Sequence, residues 1–165
     1  MKSLALKRAA FTLAEIMVAI IFLGLAIAAL LGTNRFLTQS NAAAIELSTA
    51  EFLTEQLREL TILLPAKDPQ TGSTFFGPET GETTLAAYDD IDDFDNASFS
   101  PPINAGRQVI NSLASYRQTV AVQNVSPTNF AIVVADNTTS FLKVTVNIYF
   151  NSKLVSSTSW IRTRF

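Results

Sequence analysis

The stretch "KRAAFTLAEIMVAIIFLGLAIAALLGTNR", residues 7 to 35, decides the organisation of this chain. It is apolar apart from its ends and one acid, Glu15, which is followed by nineteen uncharged residues from Ile16 to Asn34. As an α-helix, these nineteen residues would measure about 28 Å, which is close to the hydrocarbon thickness of a bilayer. Three basic residues lie within the first eight positions, whereas Arg35 alone follows the apolar run closely. This charge bias predicts a cytoplasmic N-terminus and a translocated remainder.

The composition of the chain excludes most catalytic classes. Its 165 residues include no cysteine and no histidine. A disulfide framework, a lipid-modified cysteine, a histidine-dependent triad and most zinc sites are therefore excluded. No glycine-rich phosphate loop or dinucleotide fingerprint is present. The formal net charge of −2 gives no argument for nucleic-acid binding. We therefore expect neither an enzyme nor a nucleic-acid partner.

Two general interpretations of the apolar segment compete. It is a plain membrane anchor with Glu15 at the level of the headgroups, or it is a secretory signal peptide. The signal peptide would be cut after Ala28, because Ala26-Ile27-Ala28 has the small-x-small pattern of a cleavage site. An exported or membrane-anchored binding domain would result. The acid at the start of the segment and its length beyond ~7–15 residues oppose the signal peptide.

A third interpretation uses the whole motif. Lys7-Arg8-Ala9-Ala10, then Phe11-Thr12-Leu13-Ala14-Glu15, then an apolar helix, resembles the maturation signal of type IV prepilins and pseudopilins. The resemblance implies that residues 1–10 are a leader, which a prepilin peptidase removes between Ala10 and Phe11. The same enzyme would methylate the new amine of Phe11. Alanine stands here where the family usually has glycine.

The resemblance also gives the isolated acid a purpose. An ionised side chain in the apolar part of a membrane is costly, so a partner for Glu15 is expected. In this family the glutamate neutralises the terminal amine of a neighbouring subunit as it joins the filament. Glu15 would therefore set the axial register of assembly. The implied partners are other pilins or pseudopilins, the prepilin peptidase, an inner-membrane assembly platform and, before assembly, membrane lipid.

Two glycines lie inside the apolar run. Each is a soft point, because glycine costs about 1 kcal/mol relative to alanine in a helix interior. Close helix packing in the membrane explains Gly24. For Gly32 the same packing competes with a role as a hinge, because many major pilins have a helix-breaking proline near this position.

The helical pattern continues beyond the membrane-spanning length. Residues 35–63 contain no proline or glycine, and Pro65 ends the helix. One helix of about 50 residues is predicted, with residues 11–35 as the transmembrane and filament-core part and residues 36–64 as an amphipathic extension. The extension has one leucine face, at Leu53, Leu57, Leu60 and Leu64. This face is predicted to pack on a domain of the same chain.

The remainder, residues 65–165, is predicted to form a globular head. Residues 66–114 are irregular because proline and glycine interrupt them, with a short helix near Gln108–Ser115. A C-terminal β-sheet is expected over residues 116–164, with a hairpin as its last pair. The strands are predicted at Tyr116–Val125, Phe130–Ala135 (short and buried), Phe141–Phe150 and Lys153–Arg164. The fold class is α+β, with the long N-terminal helix packed on a small antiparallel sheet of three to four strands.

The acidic loop, "AYDDIDDFDN" at residues 87–96, is the remaining candidate site. Closely spaced carboxylates supply the hard oxygen ligands that Ca²⁺ prefers. The candidate calcium ligands are Asp90, Asp92, Asp93 and Asp95. The alternative is a solvated loop whose aspartates cap turns and whose anchors are Tyr88, Ile91 and Phe94. No other cofactor is expected.

A second resemblance reaches into the head. The segments Tyr88–Phe94, Pro101-Pro102, Tyr116–Val122 and Val144–Tyr149 are similar to minor pilins of the mannose-sensitive haemagglutinin type. The resemblance implies a minor subunit of a type IV pilus or of a type II secretion pseudopilus. Such a subunit crosses the inner membrane once with a periplasmic head, and then joins a cell-surface or periplasmic filament.

Overall fold

A long helix precedes a five-stranded sheet in the computed structural model, which describes residues 12–66, 68–70 and 75–163. The helix, α1, spans Leu13–Ile62, and short 3-10 turns lie at Asp92–Phe94 and Asn111–Leu113. The strands are β1 (Ser98–Phe99), β2 (Tyr116–Ser126), β3 (Asn129–Val133), β4 (Phe141–Phe150) and β5 (Lys153–Thr163). This layout confirms the α+β class and the 50-residue helix.

The chain divides into two compact units, Met1–Ala44 and Ile45–Phe165. In the first unit, every described residue from 12 to 44 is exposed. The first unit thus contributes no buried core among the residues that the structure describes. In the second unit, the remainder of α1 and the sheet form one core.

The sheet is antiparallel, in the order β1-β2-β4-β5, and β3 pairs with the end of β2. Val120 of β2 lies opposite Val146 of β4, which in turn lies opposite Thr158 of β5. The last two strands form the predicted hairpin, and its turn is Asn151-Ser152, with positive φ at both residues. A turn with positive φ at both central positions matches the right-handed twist of the flanking strands.

The leucine face of α1 packs on one face of the sheet. Leu53 and Leu57 are fully buried and Leu60 is nearly so, whereas Leu64 is partly buried at the edge of the same core. Alternate residues of β2 and β4 meet them, because successive side chains of a strand point to opposite faces. The buried sheet residues are Val120, Val122, Leu142, Val144, Val146 and Ile148. This packing confirms that the amphipathic half of the helix braces a domain of the same chain.

A buried glutamine joins the helix, the sheet and the connecting loop. Gln118 of β2 is fully buried, and its Nε2 donates to the carbonyl oxygens of Leu53 (3.0 Å) and Ile103 (3.1 Å). Its Oε1 accepts from the Ile103 N–H at 2.8 Å. All the polar atoms of the amide group therefore have partners, as burial of a polar side chain requires.

The end of α1 is held by the last strand. The final carbonyls of a helix have no partner within the helix itself. Arg162 of β5 supplies one, because its Nη1 donates to the carbonyl oxygen of Ile62 and its Nη2 to that of Leu64, each at 3.1 Å. The first and last elements of the second unit are thereby joined.

Three details differ from expectation. β1, a two-residue strand paired with β2, was not predicted, because so short a segment carries no periodicity. The helix expected near Gln108–Ser115 is a single 3-10 turn at Asn111–Leu113. The predicted burial of β3 is wrong: all its residues are exposed, because it pairs only with the end of β2, beyond the helix-covered face.

Candidate functional site

Glu15 lies at the first turn of α1 and caps it. The backbone N–H and the hydroxyl of Thr12 donate to its Oε2, at 2.8 and 2.9 Å. In return, the N–H of Glu15 donates to the Thr12 hydroxyl at 3.3 Å. Together these bonds form a capping box, which satisfies helix donors that otherwise lack partners. The Thr-x-x-Glu pattern at residues 12–15 is the sequence signature of this cap.

The first part of α1 presents an apolar surface on all sides. Every large apolar side chain from Leu13 to Leu37 is between 49% and 78% exposed. Exposed apolar patches of this extent mark surfaces that meet a membrane or another protein. The helix is long and apolar enough to cross a membrane, with a mean hydropathy of 2.7 in its most apolar window. A signal sequence would satisfy the same criterion.

The predicted cleavage and hinge positions lie at or before the apolar part of α1. Ala10 and Phe11, the predicted cleavage pair, lie outside the described residues. Gly32 lies within α1, which continues through it without a break, and a Cβ added there would meet no atom within 4 Å apart from its chain neighbours and the adjacent helix backbone. Ala28, the alternative cleavage point, is also inside the continuous helix. The hinge and both cleavages stay predictions.

In the acidic loop, two aspartates bind each other's backbone. Oδ1 of Asp90 accepts from the N–H groups of Asp92 (2.9 Å) and Asp93 (3.2 Å). Oδ2 of Asp93 accepts from the N–H groups of Asp89 (2.8 Å) and Asp90 (3.1 Å). Asp90 and Asp93 are 2% and 1% exposed. The aspartates therefore shape the Asp92–Phe94 turn, as the alternative to calcium predicted.

The other two predicted ligands attach the loop to its surroundings. Oδ2 of Asp92 accepts from the Gly77 N–H at 3.2 Å, and Oδ1 of Asp95 accepts from the Val122 N–H of β2 at 2.8 Å. The predicted apolar anchors are present too, because Ile91 and Phe94 are fully buried and the ring of Tyr88 meets that of Phe94 edge-on at 5.1 Å. The loop is not solvated as expected, since three of its aspartates are buried.

A different acidic group has the spacing of a metal site. One carboxylate oxygen from each of Glu79, Glu82 and Asp93 lies within 4.8 Å of the other two, and no other described acids form such a group. We call these three residues the carboxylate cluster. Of the four predicted ligands, Asp93 alone belongs to it. The sequence did not single out Glu79 and Glu82, because loop folding rather than spacing brings them to Asp93.

The cluster borders a depression of about 300 Å³. The depression is lined by Asp68, Gln70, Glu79, Thr80, Gly81, Glu82 and Ala87. The backbone N–H of Glu79 donates to Oε2 of Glu82 at 3.0 Å, which fixes the turn between the two glutamates. The lining therefore offers oxygen donors to a small cation.

Burial and mutual repulsion shift the proton affinities of these acids. Burial, together with Glu82 and Asp68, raises the pKa of Glu79 to about 7. Burial raises the pKa of Asp93 to about 6, and Glu82 adds to this shift. The backbone N–H of Glu79 instead lowers the pKa of Glu82. In the turn beside them, burial and then the charges of Asp92 and Asp93 raise the pKa of Asp90 to about 8.

Comparisons of the chain with protein-family models, with curated proteins and with solved structures give no match. The functional assignment must therefore come from the chain's own features. These are the capped apolar helix, the head that its second half braces, and the acidic loop.

Proposed function

We propose that the chain is a type IV pilin-like minor subunit, assembled through its N-terminal helix into a pilus or a type II secretion pseudopilus. One observation carries the proposal: a single carboxylate, Glu15, stands at the start of a helix surface that is apolar and exposed on all sides up to Leu31. A plain anchor needs the apolar surface but not the acid. A filament subunit uses both.

The proposed sequence of events begins in the inner membrane. The basic leader stays in the cytoplasm and the head reaches the periplasm. The prepilin peptidase then cuts between Ala10 and Phe11 and methylates the new amine. An assembly platform moves the subunit from lipid into the filament, where the apolar surfaces of neighbouring helices replace lipid contacts. The chain is a substrate of the peptidase and not an enzyme.

Glu15 has a distinct task in this mechanism. Its capping bonds with Thr12 employ Oε2 and orient the carboxylate at the very start of the helix. Its negative charge would pair with the methylated amine of a neighbouring subunit inside the helix bundle. In such a low-dielectric environment, the removal of one partner leaves the other charge uncompensated. The pair would therefore set the axial register of each added subunit.

The head would face outward from the filament. Its own core lies between the leucine face of α1 and the sheet, so the head has a buried core without any filament contact. The resemblance of the Tyr88–Phe94 segment to minor pilins favours a minor subunit. Its neighbours would be other pilins or pseudopilins, and no nucleic acid is expected in the assembly.

Intact and N-terminal mass spectrometry tests this proposal on the protein recovered from membranes of its host. We expect a mature chain that begins with N-methylated Phe11. A terminus at Ala29 would instead identify a signal peptide, and an uncut Met1 would identify a plain anchor. Either result would refute the proposal.

Two variants of one residue sharpen the test. Ala10→Gly restores the residue that prepilins usually have at this position, so its processing should equal or exceed that of the parent chain. Ala10→Trp places a bulky side chain before the cut and should leave the leader attached. Equal maturation of both variants would contradict the proposed cleavage site.

A further inference from the structure

From the carboxylate cluster we infer a calcium site in the head, formed by Glu79, Glu82 and Asp93. The three oxygens lie within 4.8 Å of one another. Ca²⁺ binds its oxygen ligands at about 2.3–2.6 Å, so ligands on opposite sides of one ion are roughly twice that distance apart. The spacing of the cluster therefore fits three ligands around a single calcium ion.

A buried oxygen without a partner points independently to a ligand. Asp93 is 1% exposed, and its Oδ2 is already satisfied by two backbone N–H groups. Its Oδ1 is buried and has no hydrogen-bond partner. A buried acceptor that lacks a donor costs free energy, and a charged one costs more. A cation in the cluster would supply the missing interaction.

The neighbouring side chains do not supply the missing partner of Asp93 Oδ1. The cluster oxygens of Asp93 and Glu82 lie within 4.8 Å of each other, and ionised carboxylates offer only acceptors, so neither can donate a hydrogen bond to the other. Neither Asp93 nor Glu82 forms an ion pair with a basic side chain of residues 12–66, 68–70 or 75–163. When both acids are ionised, their charges repel each other. Binding of a cation would turn this repulsion into attraction.

The chemistry of the ligands selects calcium. All three side chains supply hard oxygen atoms, which favour Ca²⁺ or Mg²⁺ over the transition metals. Mg²⁺ requires near-ideal octahedral geometry and usually takes one or two carboxylates, whereas Ca²⁺ accepts irregular sets of six to eight oxygens. Asp68 lines the same depression and brings a fourth carboxylate beside Glu79. A carboxylate-rich loop of this kind suits calcium.

The site would link two parts of the loop that follows the helix. Glu79 and Glu82 belong to one turn, and Asp93 belongs to the Asp92–Phe94 turn. The second turn is tied to the segment that directly follows α1, because the Ile91 N–H donates to the carbonyl oxygen of Pro65 at 3.1 Å. It is also tied to β2 through Asp95. Bound calcium would thus join the Glu79–Glu82 turn to the framework of the head.

The test uses the full-length chain in detergent micelles, stripped of metal with EDTA and dialysed. Calorimetric titration with CaCl₂ should give one site, with a dissociation constant of about 0.1–1 mM, the range of extracellular calcium modules. At 5 mM CaCl₂ the thermal midpoint of the head should rise by about 3–10 °C. Circular dichroism of the sheet measures this midpoint. MgCl₂ at the same concentration should shift it less.

The variant Glu79→Gln/Glu82→Gln keeps the side-chain shapes and removes two charges. It should lose the calcium-dependent shift and, in EDTA, should be more stable than the parent chain, because the repulsion is gone. A variant that is more stable than the parent chain in EDTA but gains nothing from calcium is the result specific to a cation site. The control Glu59→Gln changes an exposed acid of α1 and should keep the full shift. Glu82→Gln alone serves if the double variant fails to fold.

Several results would overturn the proposal. No calorimetric binding by the parent chain, or an equal calcium shift in the double variant, would eliminate the site. Loss of the shift in Glu59→Gln would show that the effect comes from general charge screening. A magnesium shift as large as that of calcium would refute the choice of ion.

Discussion

The substitution Gln118→Leu should destabilise the head by about 3 kcal/mol. It keeps the approximate size of the side chain but removes the amide that holds the Ile103 N–H at 2.8 Å and its carbonyl at 3.1 Å. Each buried polar group that loses its partner costs about 1–3 kcal/mol. The third bond, to the carbonyl of Leu53, costs less because that oxygen lies within α1 and retains its helical partner. The added apolar burial offsets part of the loss.

Urea unfolding of the full-length chain in detergent micelles measures this loss through the fluorescence of Trp160. The matched control is Gln123→Leu, on the same strand but at a half-buried position of the opposite parity. Because Gln123 lies on the side of β2 away from the core, we expect this control to change stability by less than about 0.5 kcal/mol. If both variants lose the same free energy, or if Gln118→Leu is neutral, the reasoning that Gln118 joins helix, sheet and loop is wrong.

Three further predictions address the helix and the acidic loop. Glu15→Gln keeps an oxygen that can accept from Thr12 but removes the charge, whereas Thr12→Ala weakens the cap and keeps the charge. If the charge sets the register, Glu15→Gln should lower incorporation into sheared filaments by about a hundredfold or more on immunoblots, and Thr12→Ala should lower it far less. The opposite order would show that Glu15 acts as a cap alone. Gly32→Ala should make the helix stiffer without a steric clash, so a hinge role predicts slower filament assembly with normal membrane insertion, and unchanged assembly would favour simple packing. Folding raises the pKa of Asp90 from 3.8 to about 8. The folded state therefore binds the Asp90 proton more tightly than the unfolded state does, and this contribution to the free energy of unfolding is lost as the pH rises from about 4 to about 8. The thermal midpoint in EDTA should therefore be higher at pH 5 than at pH 8, and Asp90→Asn should flatten the dependence; a midpoint that rises with pH in the parent chain would contradict it.

The main elements could be predicted because their patterns are long and regular. The leucines of the second half of α1 recur at spacings of three and four, and the alternation in β2 and β4 extends over ten or more residues. Such periodicity records which face is buried. The burial of β3 was predicted wrongly because a short apolar run has the same sequence pattern in a buried strand and in an exposed one. Only the position of its partner strand decides its burial.

The polar interior was harder to anticipate. Gln118 has the same parity as Val120 and Val122, so the alternation itself placed a polar residue on the core face. That signal was available, but its partners at Leu53 and Ile103 lie far away along the chain. The burial of the aspartates could not be predicted either, because it depends on hydrogen bonds from backbone N–H groups that come together only when the turn folds.

The two candidate sites also differ in how well the sequence predicts them. Glu15 stands out in sequence because it interrupts an apolar run, and its capping partner is only three residues away. Glu79 and Glu82 are separated from Asp93 by a segment without periodicity, so nothing local indicates that they meet. A site formed by neighbours in sequence can be predicted, whereas a site formed by loop folding needs the structure.

The contact between Arg162 and the end of α1 can form only after β5 has been synthesised. The guanidinium group reaches carbonyls that lie 100 and 98 residues earlier in the chain. A growing chain therefore makes its helix long before it makes the strand that closes the helix end and completes the sheet. Until β5 has left the ribosome, the leucine face of α1 lacks its full cover, and contacts over such distances form late in folding. If the chain is translocated as we propose, the head must complete its fold on the far side of the membrane, while the first part of the helix is already anchored in lipid.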